Sequence, residues 1–154
     1  MTTIACDGRT LVADTRATEG TISSHVSKLH RFKHGYVAIA GDVLHGLKFV
    51  EWLKKRRDES MRGFPAHDLT EDGFDALVLR NDGRMETWDH RGGPVPITDP
   101  FWAIGSGREV ALGALHAGVT VRQAVIIACK VDSASSLPIE AVDLPSKSKK
   151  RPAR

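Results

Sequence analysis

The stretch Thr2-Thr3-Ile4-Ala5-Cys6-Asp7-Gly8-Arg9-Thr10-Leu11-Val12-Ala13-Asp14 decides how the rest of the chain is read. Thr2 to Cys6 and Thr10 to Asp14 are β-type runs, and Asp7-Gly8 between them supplies a tight turn, which predicts an antiparallel hairpin. Working outward, Thr15 to Ser27 is rich in Thr, Ser and Gly and reads as loop with short strand. Lys28 to Phe32 and Tyr36 to Ala40 form a second pair of strands around Lys33-His34-Gly35. Asp42 then opens a helix, because Val43, Leu44, Leu47, Val50 and Leu53 recur at helical spacing. Lys54 to Arg57 put positive charge towards its end, where the helix dipole favours it, and Gly63 and Pro65 are expected to stop it.

Phe74 to Leu79, Asn81-Asp82-Gly83 and Arg84 to Trp88 give the clearest hairpin. A Gly/Pro-rich segment, Arg91 to Pro100, follows without a predicted element. Arg108 to Ala117 and Val121 to Lys130 read as helices parted by Gly118 and Thr120, with Gly113 expected at a close-packing site. Ile139 to Val142 is a short closing strand. Blocks of antiparallel strands with segregated helices predict an α+β layered domain.

With 154 residues, 41% of them hydrophobic, the chain suits one domain with one sizeable core. Its apolar runs are too short for a membrane helix, and no basic segment with an apolar core marks a secretory signal. Two cysteines, Cys6 and Cys129, argue against a disulfide framework and for a reducing, cytoplasmic setting. The net charge of +3 conceals an asymmetry. Lys147, Lys149, Lys150, Arg151 and Arg154 lie in the last eight residues, and without them 17 basic groups face 19 acidic ones. Residues 2–145 are thus expected to form the single domain and residues 146–154 a disordered basic tail, solvated rather than bound to nucleic acid.

Six segments, in order, resemble the proteasome β-subunit/HslV family of threonine peptidases. Thr2-Thr3-Ile4-Ala5 is similar to the family's mature amino terminus. Leu11 to Thr18 is similar to its second strand and acidic turn, and Val26 to Phe32 to the strand carrying its lysine. Ala40-Gly41-Asp42 is similar to the glycine-acid step before its first long helix. Ala103-Ile104-Gly105-Ser106-Gly107 is similar to its helix-opening segment, and Asp132-Ser133-Ala134-Ser135 to its late Asp-x-x-Ser. The resemblance implies a four-layer αββα Ntn-hydrolase sandwich of two antiparallel sheets. It departs from the family in having room for one helix, not two, after Gly41-Asp42; Ser60 to Gly73 is too short for the second, so the first helical layer is shortened. Small bacterial and phage homologues have a similar compact form.

The resemblance also implies a mechanism. Once Met1 is removed, Thr2 carries nucleophile and base together, because an amine of pKa near 8 can take the proton of its own hydroxyl. Lys28 would stand beside Thr2 as an ammonium, and Asp14 would pair with Lys28. Ser106, Asp132 and Ser135 would hold the amine and its proton network. Ala38, counted back from Gly41-Asp42, would give the oxyanion-stabilising N–H, and Val26, Tyr36 and Ala40 would line the substrate pocket, favouring apolar residues at the cleavage site. No cofactor is required. The partners implied are further copies in a stacked double ring of twelve or fourteen and peptides or unfolded proteins as substrates; an AAA+ unfoldase, a partner in the family, does not follow here, because the shortened helical layer is the one that helps build its docking face.

Plainer readings stand beside these. Lys28 could face solvent from a strand and Asp14 could form a turn. Gly105-Ser106-Gly107 could cap the next helix, Asp132 and Ser135 could shape a turn, and Tyr36 could pack in the core. His25, His30 and His34 suggest a metal site, but strand alternation separates them and no further ligand completes a set. Two other functions compete: a catalytically silent ring subunit, and an Ntn hydrolase acting on small amides. Thr2, Asp14 and Lys28 together favour the enzyme over the first. The Lys28 strand and the Gly-Ser-Gly segment favour the protease over the second.

Overall fold

A computed structural model describes residues 2–56 and 73–146. The expected helix stop at Gly63 and Pro65, the short 60–73 connection apart from Gly73, and the basic tail beyond Ser146 lie outside the described residues. Eleven strands and three helices are described, in the order β1 (Thr3–Cys6), β2 (Thr10–Asp14), β3 (Arg16–Glu19), β4 (Ile22–His25), β5 (Leu29–Phe32), β6 (Gly35–Gly41), α1 (Val43–Lys55), β7 (Phe74–Arg80), β8 (Met85–Asp89), β9 (Gly92–Ile97), β10 (Trp102–Gly105), α2 (Arg108–His116), α3 (Val121–Val131) and β11 (Ile139–Asp143).

The opening hairpin is found as read, with Gly8 at φ +80° in its turn. It forms the middle of a four-stranded antiparallel sheet, β10-β1-β2-β11. A second antiparallel sheet, β5-β6-β7-β8-β9, lies against it, and β3-β4 form a separate two-stranded ribbon. Ile4, Leu11 and Ala13 from the first sheet meet Ala38, Leu77 and Leu79 from the second in the central core. The outer face of the first sheet packs on α2 and α3 through small residues, Ala5, Ala103, Ala111, Ala124 and Ala128, which let backbones approach closely. The outer face of the second sheet packs on α1 through an aromatic cluster, in which Phe49 lies 5.2 Å from Phe74 and 5.3 Å from Trp88 between ring centres. The layers run helices, sheet, sheet, helix: an α+β sandwich of four layers.

Local signals explain the helix starts. Asp42 caps α1 by accepting from the N–H of His45, and Thr120 with Gln123 makes a reciprocal capping box at the start of α3. Helix α1 ends at Lys55, with the extended Arg56 as its cap, earlier than the sequence reading placed it. The Gly/Pro-rich segment contains a strand the sequence reading did not assign: β9 pairs with β8 at the sheet's edge, where Pro94 and Pro96 are tolerated because an edge strand pairs on one side only. Gly113 is not a close-packing site; a Cβ there would meet open space. No described helix is long and apolar enough to cross a membrane.

Candidate active site

The site lies where the start of β1, the end of β2 and the segment entering β5 converge. Thr2 is 3% exposed, Asp14 is fully buried and Lys28 is 5% exposed. The Lys28 Nζ donates to Thr2 Oγ1 at 2.6 Å and to Asp14 Oδ1 at 2.8 Å. A buried lysine needs such partners, because removal from water penalises the charged form. Burial does push the Lys28 pKa down, while the hydrogen bond and charge of Asp14 and the charge of Glu140 oppose it. Asp14 is held in turn by backbone donors: the N–H of Thr3 reaches Oδ1 at 2.9 Å, and those of Arg16 and Ser136 reach Oδ2 at 3.0 and 3.2 Å. The carboxylate is thus a fixed part of the scaffold, and Asp14 is no mere turn former.

A second network serves the other side of Thr2. Its backbone nitrogen donates to Ser106 Oγ at 3.1 Å, and Ser106 donates to Asp132 Oδ2 at 2.7 Å. Ser135 donates to the same oxygen at 2.6 Å and shares a 2.7 Å contact with Thr3 Oγ1. Burial raises the Asp132 pKa, but donation from Ser135, Ser106 and the N–H of Ala134 outweighs it, so the carboxyl sits below its ordinary value. The glycines flanking Ser106 make the approach possible. A Cβ on Gly105 would lie 2.0 Å from the Thr2 carbonyl oxygen, and one on Gly107 would lie 1.9 Å from Thr3 Oγ1. The Gly-Ser-Gly segment is therefore a docking surface for Thr2 and Thr3, where the chain enters β1.

The structure thus brings Thr2, Asp14, Lys28, Ser106, Asp132 and Ser135 together. Beside Thr2 and Lys28 is a recess of about 80 Å³, lined by Arg16, Ala17, Thr18, Val26, Ser27, Ile39, Gly41 and Val43. Val26 is on its wall. Ala38, Tyr36 and Ala40 are not. Ala38 and Ala40 are buried in the core between the sheets, and Tyr36 packs against that core. The cause is strand alternation. Ile39 donates its N–H to the Lys28 carbonyl on the β5 side, so the N–H of Ala38 points the other way, towards β7. Gly41, two residues beyond Ile39, turns its N–H to the β5 side again, past the end of that strand and at the recess. Gly41 and Ile39 therefore line the recess, where the sequence reading expected Ala38, Tyr36 and Ala40.

Other residues went unread in the sequence. Glu140 of β11 contacts the segment carrying Lys28, and Arg16 Nη1 donates to the Ser133 carbonyl at 3.1 Å, tying the ribbon to the Asp132 turn. Cys129 lies near Asp14 and Lys28, but burial and then the Asp14 charge raise its thiol to about 11, so it stays protonated. A larger recess of about 370 Å³ between β8, β9 and β10 contains none of the six residues. Among the described residues, no three His, Cys, Asp or Glu side chains gather as metal ligands would.

No protein-family model matches the sequence, and no curated protein matches it. Solved structures do. Thiobacillus denitrificans BPH in complex with epoxomicin superposes with a TM-score of 0.70 at 22% identity, over 94% of this chain and 98% of that one. A second structure of the same protein gives 0.68 at 19% identity, with the same shares of each chain. Eukaryotic HslV from Trypanosoma brucei gives 0.60 at 21% identity, over 92% and 98%. The chain has the fold of these BPH and HslV structures over nearly its whole length.

Proposed function

We propose that the chain belongs to the proteasome β/HslV family and is an amino-terminal threonine endopeptidase, working as a subunit of a self-compartmentalising ring. The observation that carries the reading is the buried contact of the Lys28 ammonium with Thr2 Oγ1 and Asp14. An isolated threonine hydroxyl is a poor nucleophile at neutral pH, and a positive charge in contact with it favours the alkoxide.

Removal of Met1 frees the Thr2 amine, which takes the hydroxyl proton as Oγ1 attacks the scissile carbonyl. The N–H of Gly41 donates to the oxygen that becomes negative in the tetrahedral intermediate. Collapse breaks the peptide bond, and the departing amine takes a proton from the Thr2 ammonium. Water activated by the same amine then cleaves the acyl-enzyme. Ser106, on the Asp132 carboxylate, orients that amine throughout.

The recess supports a preference. Its apolar wall is Ala17, Val26, Ile39 and Val43, and about 80 Å³ suits a short aliphatic side chain better than an aromatic one. The BPH structure bound to epoxomicin, a peptide epoxyketone, supports a peptide as the substrate class. The test is hydrolysis of fluorogenic peptides beside small amides. Cleavage after Ala or Val, abolished by Thr2→Ala and Lys28→Ala, is expected. Cleavage of small amides alone would move the assignment to another amidohydrolase, and no turnover of either would move it to a silent subunit.

A further inference from the structure

The Lys28 side chain reaches Thr2 from a backbone that departs from strand geometry. In a strand, successive N–H groups point to opposite sides. Here the N–H of Lys28 and the N–H of Leu29 both donate to one oxygen, Glu140 Oε1, the second at 2.9 Å. The other carboxylate oxygen accepts from Ser27 Oγ at 2.8 Å. Consecutive amides gathered on an anion form a small nest, which turns the chain at the point where β5 begins. The Lys28 carbonyl meanwhile accepts from Ile39 on the opposite side, at 3.1 Å, so the residue is gripped from both edges.

Glu140 comes from the other sheet. It lies on β11, opposite Ala13 of β2, and its neighbour Ile139 lies opposite Asp14. One strand therefore backs Asp14 and sends a carboxylate across to the segment that carries Lys28. Resting on the reading of Thr2 as nucleophile, we propose that Glu140 is the positioning residue for Lys28: it clamps the edge of the second sheet to the first and thereby aims the ammonium at Thr2 Oγ1. Glu140 touches neither substrate nor Thr2; it acts through the lysine.

The clamp has an electrostatic consequence that separates it from a purely structural contact. The charged and titratable groups facing the Lys28 ammonium are Asp14 from β2, Glu140 from β11, Cys129 from α3 and, once Met1 is removed, the Thr2 amine at the entry to β1, with the Arg16 guanidinium on the rim of the recess. Burial lowers the Lys28 pKa and the Glu140 charge opposes that lowering. Removing the charge lets Lys28 lose its proton at a lower pH, so the alkaline limb of activity moves down. Glu140→Gln removes the charge but keeps an amide oxygen for the two N–H groups. Glu140→Ala removes both.

The experiment measures two things on the full chain: acetylation of Lys28 by acetic anhydride, followed by mass spectrometry, and peptide hydrolysis from pH 6 to about 10.5, the upper end set by the ordinary lysine pKa. In Glu140→Ala, acetylation is expected to rise and kcat to fall by about tenfold or more, with KM within about threefold, as misaimed catalytic groups produce. In Glu140→Gln, Lys28 stays protected, kcat is largely kept and the alkaline limb moves to lower pH. Equal protection of Lys28 in Glu140→Ala, or an unmoved limb in Glu140→Gln, would overturn the clamp. Should Glu140→Ala fail to fold, the limb of the Gln variant decides. Should the unsubstituted chain cleave no peptide, the threonine-protease reading fails by itself, and acetylation still decides whether Glu140 holds Lys28.

Discussion

At the scale of single residues, Lys28 sets function against stability. The proposed mechanism requires its charge beside Thr2, yet burial disfavours that charge, which is why its pKa is depressed. Between the depressed value and the ordinary value of 10.5, the unfolded chain binds the extra proton, so stability rises with pH across that window. Activity falls across the same window as the ammonium is lost. Opposite trends in kcat/KM and in the urea midpoint are therefore expected at alkaline pH, and Lys28→Met should abolish activity and remove its share of the rise. Parallel trends would contradict this account of the lysine. The glycines make a paired prediction. Gly107→Ala drives a methyl group onto Thr3 Oγ1 and should lower kcat by about a hundredfold through misplacement of Thr2. Gly113→Ala, in open space within α2, should leave kcat alone and add about 1 kcal/mol of stability by denaturant unfolding.

At the scale of elements, β6 shows what a sequence can and cannot reveal. Tyr36 to Ala40 reads as a strand and the structure extends it to Gly35–Gly41, but both of its faces are buried, Ala38 and Ala40 between the sheets and Val37 and Ile39 beneath α1. A strand covered on both sides has no polar-apolar alternation, so nothing in its residues says which face meets the site. The residues of β6 alone therefore do not separate Ala38, Tyr36 and Ala40 from Gly41 and Ile39, which are the ones at the recess. Thr2, Asp14 and Lys28 were legible because they sit inside order-preserving motifs. Glu140 was not, because its role arises only when β11 and β5 from different sheets meet. The corrected parity is testable: Ile39→Ala should enlarge the recess and shift cleavage towards Leu and Phe, whereas Tyr36→Phe should leave the preference unchanged in a peptide panel. Capping residues, by contrast, were readable locally. Thr120→Ala removes the cap of α3 and should cost about 1 kcal/mol in denaturant unfolding without altering KM.

At the scale of the whole molecule, the order of layers places Thr2 at the junction of the two sheets, reached from the side of α1 and the β3-β4 ribbon. Val43, Leu44 and Leu47 remain 51%, 63% and 39% exposed on α1, an apolar stripe that begins at the rim of the recess. Exposed stripes of this kind favour association, which supports the proposed ring. Analytical ultracentrifugation should then show a species of twelve or fourteen chains, and a monomer at micromolar concentration would contradict the ring. Whether Thr2 is the nucleophile is read from the intact mass of the protein before and after a peptide epoxyketone, which bonds to both the hydroxyl and the free amine of a terminal threonine. A nucleophilic Thr2 gives loss of Met1 and one stoichiometric adduct that Thr2→Ala does not form; a chain that has lost Met1 and forms no adduct rules that role out.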